Sequence, residues 1–290
     1  MSLNATDQRI AWPVGALLMS QVSVNLGAAF AKHLFPAISP EGMTALRTSL
    51  AACLLLAWWR PWRHFKVGRA HALPMLAYGA TLGLMNLLIY QAFARIPIGI
   101  AVAIEVTGPL AVVLFNSRRL QDLLWLGLTC VGLWMLLPLH TSSSLDPIGV
   151  ACAAGAAACW ALYIVAGQRV AGTFGGGAVA WGMAIAALLT LPVGLAHAGS
   201  VQWSPTLLAT GLAVAVLSSA VPYSLEMVAL RRLPARVVGM LFSAAPAMAA
   251  LMAALVLGEA LTALQWAAMG CIIAASAGSA LSARGAAPAA

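Results

Sequence analysis

Arg95-Ile96-Pro97 returns 137 residues later (232 minus 95) as Arg232-Leu233-Pro234. The same offset carries Lys32 onto Arg169, Asp122 onto Glu259 and Pro109 onto Pro246. Charged residues are only 8% of the 290-residue chain, so like-signed pairs at one shared offset should rarely arise by chance. The second half therefore repeats the first. A duplication inside a hydrophobic chain is how many membrane transporters are built, with the substrate site between the repeats.

Hydrophobic residues make up 62% of the chain. A soluble domain carries roughly a quarter charged residues, about three times the share found here. Length alone would allow two soluble domains, but the apolar content reads instead as one unit folded in lipid. The net charge of +8 is assigned to cationic loops at the cytoplasmic face rather than to nucleic acid. The five cysteines lie in apolar stretches without a C-x-x-C pair or a His at metal spacing, so neither a disulfide framework nor a zinc site is expected. No cofactor is implied, and no H-E-x-x-H, G-x-S-x-G or Walker A motif points to an enzyme.

A span needs about 20 apolar residues. Ten are expected: Trp12 to Ala31, Gly42 to Trp59, Leu73 to Ala94, Ile98 to Ser117, Leu123 to Leu139, Ile148 to Gln168, Ala178 to Ala196, Thr206 to Leu230, Val237 to Leu257, and Leu261 to Ser282. Ala29-Phe30-Ala31 imitates a signal-peptide cleavage site. The run before it is long enough to span, and Lys32 matches mid-chain Arg169, so it is read as a span. Thr141 to Ser144 reads as the hinge between a first repeat over 10–140 and a second over 147–283. The Ala-rich tail 284–290 reads as disordered.

Sidedness follows from Lys and Arg. Alternate gaps hold Arg9; Arg60, Arg63, Lys66 and Arg69; Arg118 and Arg119; Arg169; Arg231, Arg232 and Arg236; and Arg284. The others hold only Lys32 and Arg95. Both termini are thus expected in the cytoplasm. With five spans per repeat, an odd number, the copies face opposite ways. The expected fold is all-α, ten transmembrane helices in two inverted five-helix repeats able to alternate access.

Ionisable groups at membrane depth are functional hypotheses by default. Glu105 lies eight residues past Pro97, which starts its helix, or about 12 Å deep at 1.5 Å per residue. A carboxylate at that depth needs a proton or a cation, which suits a proton site or an ammonium partner. Pro109 cannot donate to the Glu105 carbonyl, so a polar notch is expected there. The alternative for Glu105 is a structural ion pair with Arg47. Arg47, five residues into its span, is open between a substrate role and anchoring at the outer face. Glu226 is read first as a local salt bridge with Arg231 and Arg232, although Tyr223 shares its face. Asp122 and Glu259 read as helix caps. Neutral polar residues inside the spans are Gln21, Asn25, Asn86, Tyr90, Gln91, Thr107, Tyr163 and Gln168; interhelical glue is the commoner role for any one of them. Tryptophans 12, 58, 59, 62, 125 and 203 read as interface belts, and Trp160 and Trp181, which lie deeper, as packing with cavity lining the alternative.

Ala101-Val102-Ala103-Ile104-Glu105, Gly108-Pro109-Leu110 and Ser117-Arg118-Arg119 together form a recognisable pattern. So do Thr44-Ala45-Leu46-Arg47, Tyr223-Ser224-Leu225-Glu226, Ala229 to Pro234, Gly258-Glu259 and Gln265-Trp266. With these, nearly the whole chain resembles the threonine/homoserine exporter family of the drug/metabolite transporter superfamily, with its paired EamA domains. The resemblance implies a cavity between the halves of a multi-pass protein of the bacterial inner membrane, with the lipid bilayer around it. It also implies export of small amino acids, driven by the proton gradient. One departure is Ala245 in Ser243-Ala244-Ala245-Pro246, where the family pattern implies a Glu. A zwitterionic substrate needs a partner for each charge: Glu105 for the ammonium or a coupling proton, Arg47 or a helix end for the carboxylate. Asn25, Tyr90, Gln91, Tyr223 and Glu226 complete the expected site. The competing readings are an exporter of drugs or other lipophilic metabolites on the same fold, and a non-transporting membrane enzyme or scaffold.

Overall fold

Three helices start on the same local chemistry. Ser39, Asp146 and Ser204 each accept a hydrogen bond from a backbone N–H just inside the helix, at 3.1, 2.8 and 3.1 Å. Each is followed by a proline, whose missing N–H costs nothing in the first turn. These starts belong to α2 (Pro40–Trp59), α7 (Pro147–Phe174) and α9 (Pro205–Ala215). The other helices are α1 (Ala5–Leu34), α3 (Arg69–Arg95), α4 (Ile98–Glu105), α5 (Thr107–Asn116), α6 (Leu120–Leu136), α8 (Gly176–Ala196), α10 (Val221–Arg232), α11 (Ala235–Phe242), α12 (Ala245–Leu257) and α13 (Ala263–Arg284). This computed structural model describes residues 5–63, 69–116, 119–136, 145–197, 201, 204–257 and 262–284. The expected hinge at Thr141 to Ser144, the cap at Glu259, Lys66, Arg118, Trp203 and the tail after Arg284 lie outside these residues.

Among the described residues the regular structure is helical throughout. Seven segments are long and apolar enough to cross a membrane: Ala11–Leu34, Pro40–Trp59, His71–Arg95, Ile98–Asn116, Pro147–Phe174, Gly176–Ala196 and Pro205–Arg232. Leu120–Met135, Ala235–Ala249 and Ala263–Ser279 are apolar but shorter. Large apolar side chains on the outer faces, among them Phe115, Trp58 and Leu188, are exposed, as lipid-facing residues should be.

Helix ends recur at the repeat offset. The α4 helix spans 98–105 and α11 spans 235–242, both limits shifted by 137. In each half the helix breaks at the same point because Pro109 and Pro246 cannot donate to the carbonyls of Glu105 and Phe242, four residues earlier. Packing follows the same exchange: α2 lies on α8 and α6 on α13, while α3 on α7 is matched by α10 on α1. Small residues permit this closeness. A Cβ on Gly108 would overlap the Ala157 carbonyl, and one on Gly239 would come within 2.7 Å of the Pro109 carbonyl. Ion pairs join Arg95 to Asp146 at 3.6 Å and Arg236 to Asp122 at 3.9 Å. Each pair links loops assigned by charge to the same side.

Candidate functional site

The eighth rod departs from an α-helix at 216–220, where it makes one π turn. Proline explains part of it. The N–H of Val221 reaches back to Val216 O, five residues away, which releases Leu217 O. Pro222 has no N–H, which releases Ser218 O. Both carbonyls are met from outside the helix: Ser23 Oγ donates to Leu217 O at 2.5 Å, and Arg47 Nη1 donates to Ser218 O at 2.8 Å. Single π turns of this kind are frequent at functional sites.

Arg47 is accordingly buried, 1% exposed, and does not reach the outer face. The anchoring reading is corrected: the π turn supplies acceptors inside the protein, so the side chain has no need to seek headgroups. Nη1 also donates to Ser218 Oγ at 3.2 Å and Ser219 Oγ at 3.1 Å, and Nη2 donates to Asn86 Oδ1. The guanidinium carbon sits 4.6 Å from the Tyr90 ring centroid, a cation–π contact. Asn86 donates to Tyr223 Oη at 3.0 Å, and these two residues are 137 apart. Each is the repeat mate of the other.

These groups surround a cavity of about 70 Å³, room for roughly five waters. Gln21, Asn25, Arg47, Asn86, Tyr90, Glu105, Tyr223, Glu226, Trp160 and Ala245 are among its lining. Glu105, on the last residue of α4, is buried there and makes no salt bridge with Arg47. The structural ion pair is therefore not what holds it. Glu226 is buried too, and its expected bridge to Arg231 and Arg232 is corrected. Five or six residues on, those arginines point away around the helix. Glu226 Oε2 instead accepts from Tyr163 Oη at 2.9 Å and Oε1 from Ser20 Oγ at 3.4 Å. Tyr163 stacks on Tyr78 with centroids 5.2 Å apart, and both are fully buried. Asn25 donates to Gln21 O at 2.8 Å.

Gln91 is not brought to the cavity. It is one residue, about 100°, around α3 from Tyr90, and its amide donates to Glu41 Oε1. Trp160, read as packing, both lines the cavity and touches Phe242 at 5.0 Å. Ser218 and Ser219 went unread, although Pro222 four residues beyond Ser218 was the signal. A wider vestibule of about 700 Å³ is lined by Lys32, Phe35, Arg95 and Pro97, and Phe93 lines both spaces.

The threonine/homoserine exporters RhtA of Escherichia coli (strain K12) and Salmonella typhimurium (strain LT2) are each 49% identical to this chain over 273 residues, 94% of it and 92% of their own length. The chain belongs to that family. The EamA-like transporter model matches residues 147–281. A solved crystal structure at 22% identity superposes with a TM-score of 0.76, covering 93% of this chain and 98% of its own, a likeness of fold alone. The family and the seven apolar segments make this a multi-pass membrane protein.

Proposed function

We propose that the chain exports threonine, homoserine and related small amino acids from the cytoplasm by alternating access, coupled to protons. The export of threonine and homoserine by those relatives supports the substrate class. The observation that carries the reading is one small cavity lined by Arg47 and Glu105, which do not pair with each other. Opposite charges that share a low-dielectric space without meeting are complementary to a zwitterion between them. The carboxylate would face Arg47, and the ammonium Glu105. The same Glu105 would take the coupling proton when the substrate leaves. Tyr90, Tyr223, Asn25 and Glu226 shape the cavity. At about 70 Å³ it lies far below the roughly 300–1,000 Å³ of a drug-sized pocket.

Two inverted repeats, 10–140 and 147–283, would provide the two states. The contact of Asn86 with Tyr223, its own mate, supports a two-fold axis through the cavity. So do the matched helix limits at 98–105 and 235–242. With five helices in each repeat, that axis lies in the membrane plane. Lys and Arg distribution supports cytoplasmic termini in the bacterial inner membrane, and the vestibule at Lys32 and Arg95 would open outward. Glu105→Gln in proteoliposomes tests the proposal. Threonine flux should fall and lose its dependence on pH. Flux and pH profile both unchanged would remove Glu105 from the mechanism.

A further inference from the structure

Most polar atoms around the cavity are already satisfied. Asn86 Nδ2 donates to Leu82 O and Tyr223 Oη, while its Oδ1 accepts from Arg47 and from Tyr223. Both oxygens of Glu226 and both terminal nitrogens of Arg47 have partners. Among the buried polar atoms of the lining, three are without one: Arg47 Nε, Gln21 Oε1 and Tyr90 Oη. Gln21 and Tyr90 are 1% and 2% exposed, so water outside the protein does not serve them. Buried polar groups left unpaired are costly and call for an explanation.

We infer that Gln21 and Tyr90 form the subsite that reads a hydroxyl on the substrate's side chain. The inference rests on the zwitterion reading above. Arg47 Nε and Glu105 meet the two backbone charges of an amino acid, which leaves one acceptor, Gln21 Oε1, and one O–H, Tyr90 Oη. A hydroxyl both donates and accepts. It would donate to Gln21 Oε1 and accept from Tyr90 Oη, satisfying both orphans at once. The class selected is the small β- or γ-hydroxy α-amino acid. An apolar analogue of the same size would enter a cavity with two buried groups still unpaired, the circumstance in which a site rejects an analogue lacking a hydroxyl most strongly.

Threonine and homoserine share one deoxy analogue, 2-aminobutyrate, which makes the test direct. Initial fluxes of the three are compared in proteoliposomes holding wild type, Tyr90→Phe or Gln21→Leu. Wild type should favour the hydroxylated pair about tenfold or more over 2-aminobutyrate, and each variant should bring that ratio toward one. Tyr90→Phe keeps the ring beneath Arg47 and removes only a hydroxyl without a partner, so it decides alone if Gln21→Leu does not fold. A wild type that carries all three equally, or a Tyr90→Phe protein that keeps the full ratio, overturns the subsite while leaving the exporter reading intact. A wild type that carries none of them sinks the exporter reading itself.

Discussion

Arg47→Lys puts the proposed carboxylate site under its hardest test, because Arg47 has two tasks. Its terminal nitrogens close the π turn, and its Nε remains available. Lysine keeps the charge but gathers its three donors on one nitrogen. It can satisfy Ser218 O, which Pro222 leaves without a helical donor, or it can meet a substrate carboxylate. It cannot span both. Structure should win, since an unpaired buried carbonyl is present in every molecule whether or not substrate is bound. Losing one hydrogen bond to a charged group costs about 1.5–3 kcal/mol, so threonine should bind roughly 10- to 150-fold more weakly.

The assay is competition against labelled threonine in proteoliposomes, using unlabelled threonine or threoninamide. The amide retains the ammonium and hydroxyl but lacks the carboxylate. Wild type should prefer threonine strongly, and Arg47→Lys should bring the two competitors close together by weakening threonine alone. A folded Arg47→Lys protein that still prefers threonine by the wild-type factor would refute the assignment, and the carboxylate would have to be sought elsewhere in the cavity.

Three further outcomes are expected. A double-mutant cycle of Tyr163→Phe and Glu226→Gln, read by unfolding in mixed micelles, should give a coupling of about 1.5–3 kcal/mol across their 2.9 Å hydrogen bond; additivity would mean that Tyr163 does not hold the carboxylate. Gly108→Ala should destabilise the protein by about 1–3 kcal/mol through overlap with the Ala157 carbonyl, and an unchanged melting temperature in detergent would contradict the packing of α5 on α7. Ala245→Glu adds a carboxylate to the cavity wall and should shift competition from homoserine toward 2,4-diaminobutyrate, which carries an ammonium in place of the hydroxyl; an unchanged ratio would show that position 245 does not face the substrate.

The notch at Glu105 was legible because Pro109 lies four residues beyond a carboxylate in a chain where charges are scarce. That the helices end there, after Glu105 and again after Phe242, came from the structure. Interhelical partners were harder to read. Counting depth from the start of a span put Arg47 near the headgroups, since depth along the helix says nothing of a helix six spans later that has released a carbonyl at Ser218. Glu226 was misread for the same reason. Its nearest charges in sequence are Arg231 and Arg232, but a side chain pairs with what its face meets, and that face meets Tyr163 and Ser20. Pro222 was the one local sign of the Ser218 acceptor, and it becomes informative only when each proline inside a span is asked which carbonyl it leaves unserved.

The repeat therefore supplies geometry without supplying chemistry. At the shared offset Arg47 falls on Ala184, Glu105 on Phe242, Glu226 on Ile89 and Gln21 on Ala158. Every group argued to touch substrate or proton has an apolar mate, whereas Asn86 and Tyr223, which bond to each other, are polar on both sides. Two identical halves would make the inward-open and outward-open states equal in energy by symmetry. Under the proposed alternating access, exchange of halves would present Arg47 and Glu105 to different neighbours in the two states, so occupancy by a zwitterion or a proton would bias one over the other. A ligand shifts such an equilibrium only through unequal interaction with its two states. The loss of symmetry at these four positions would let the two states differ in their affinity for substrate and proton, while the gradients of both set the direction of net flux.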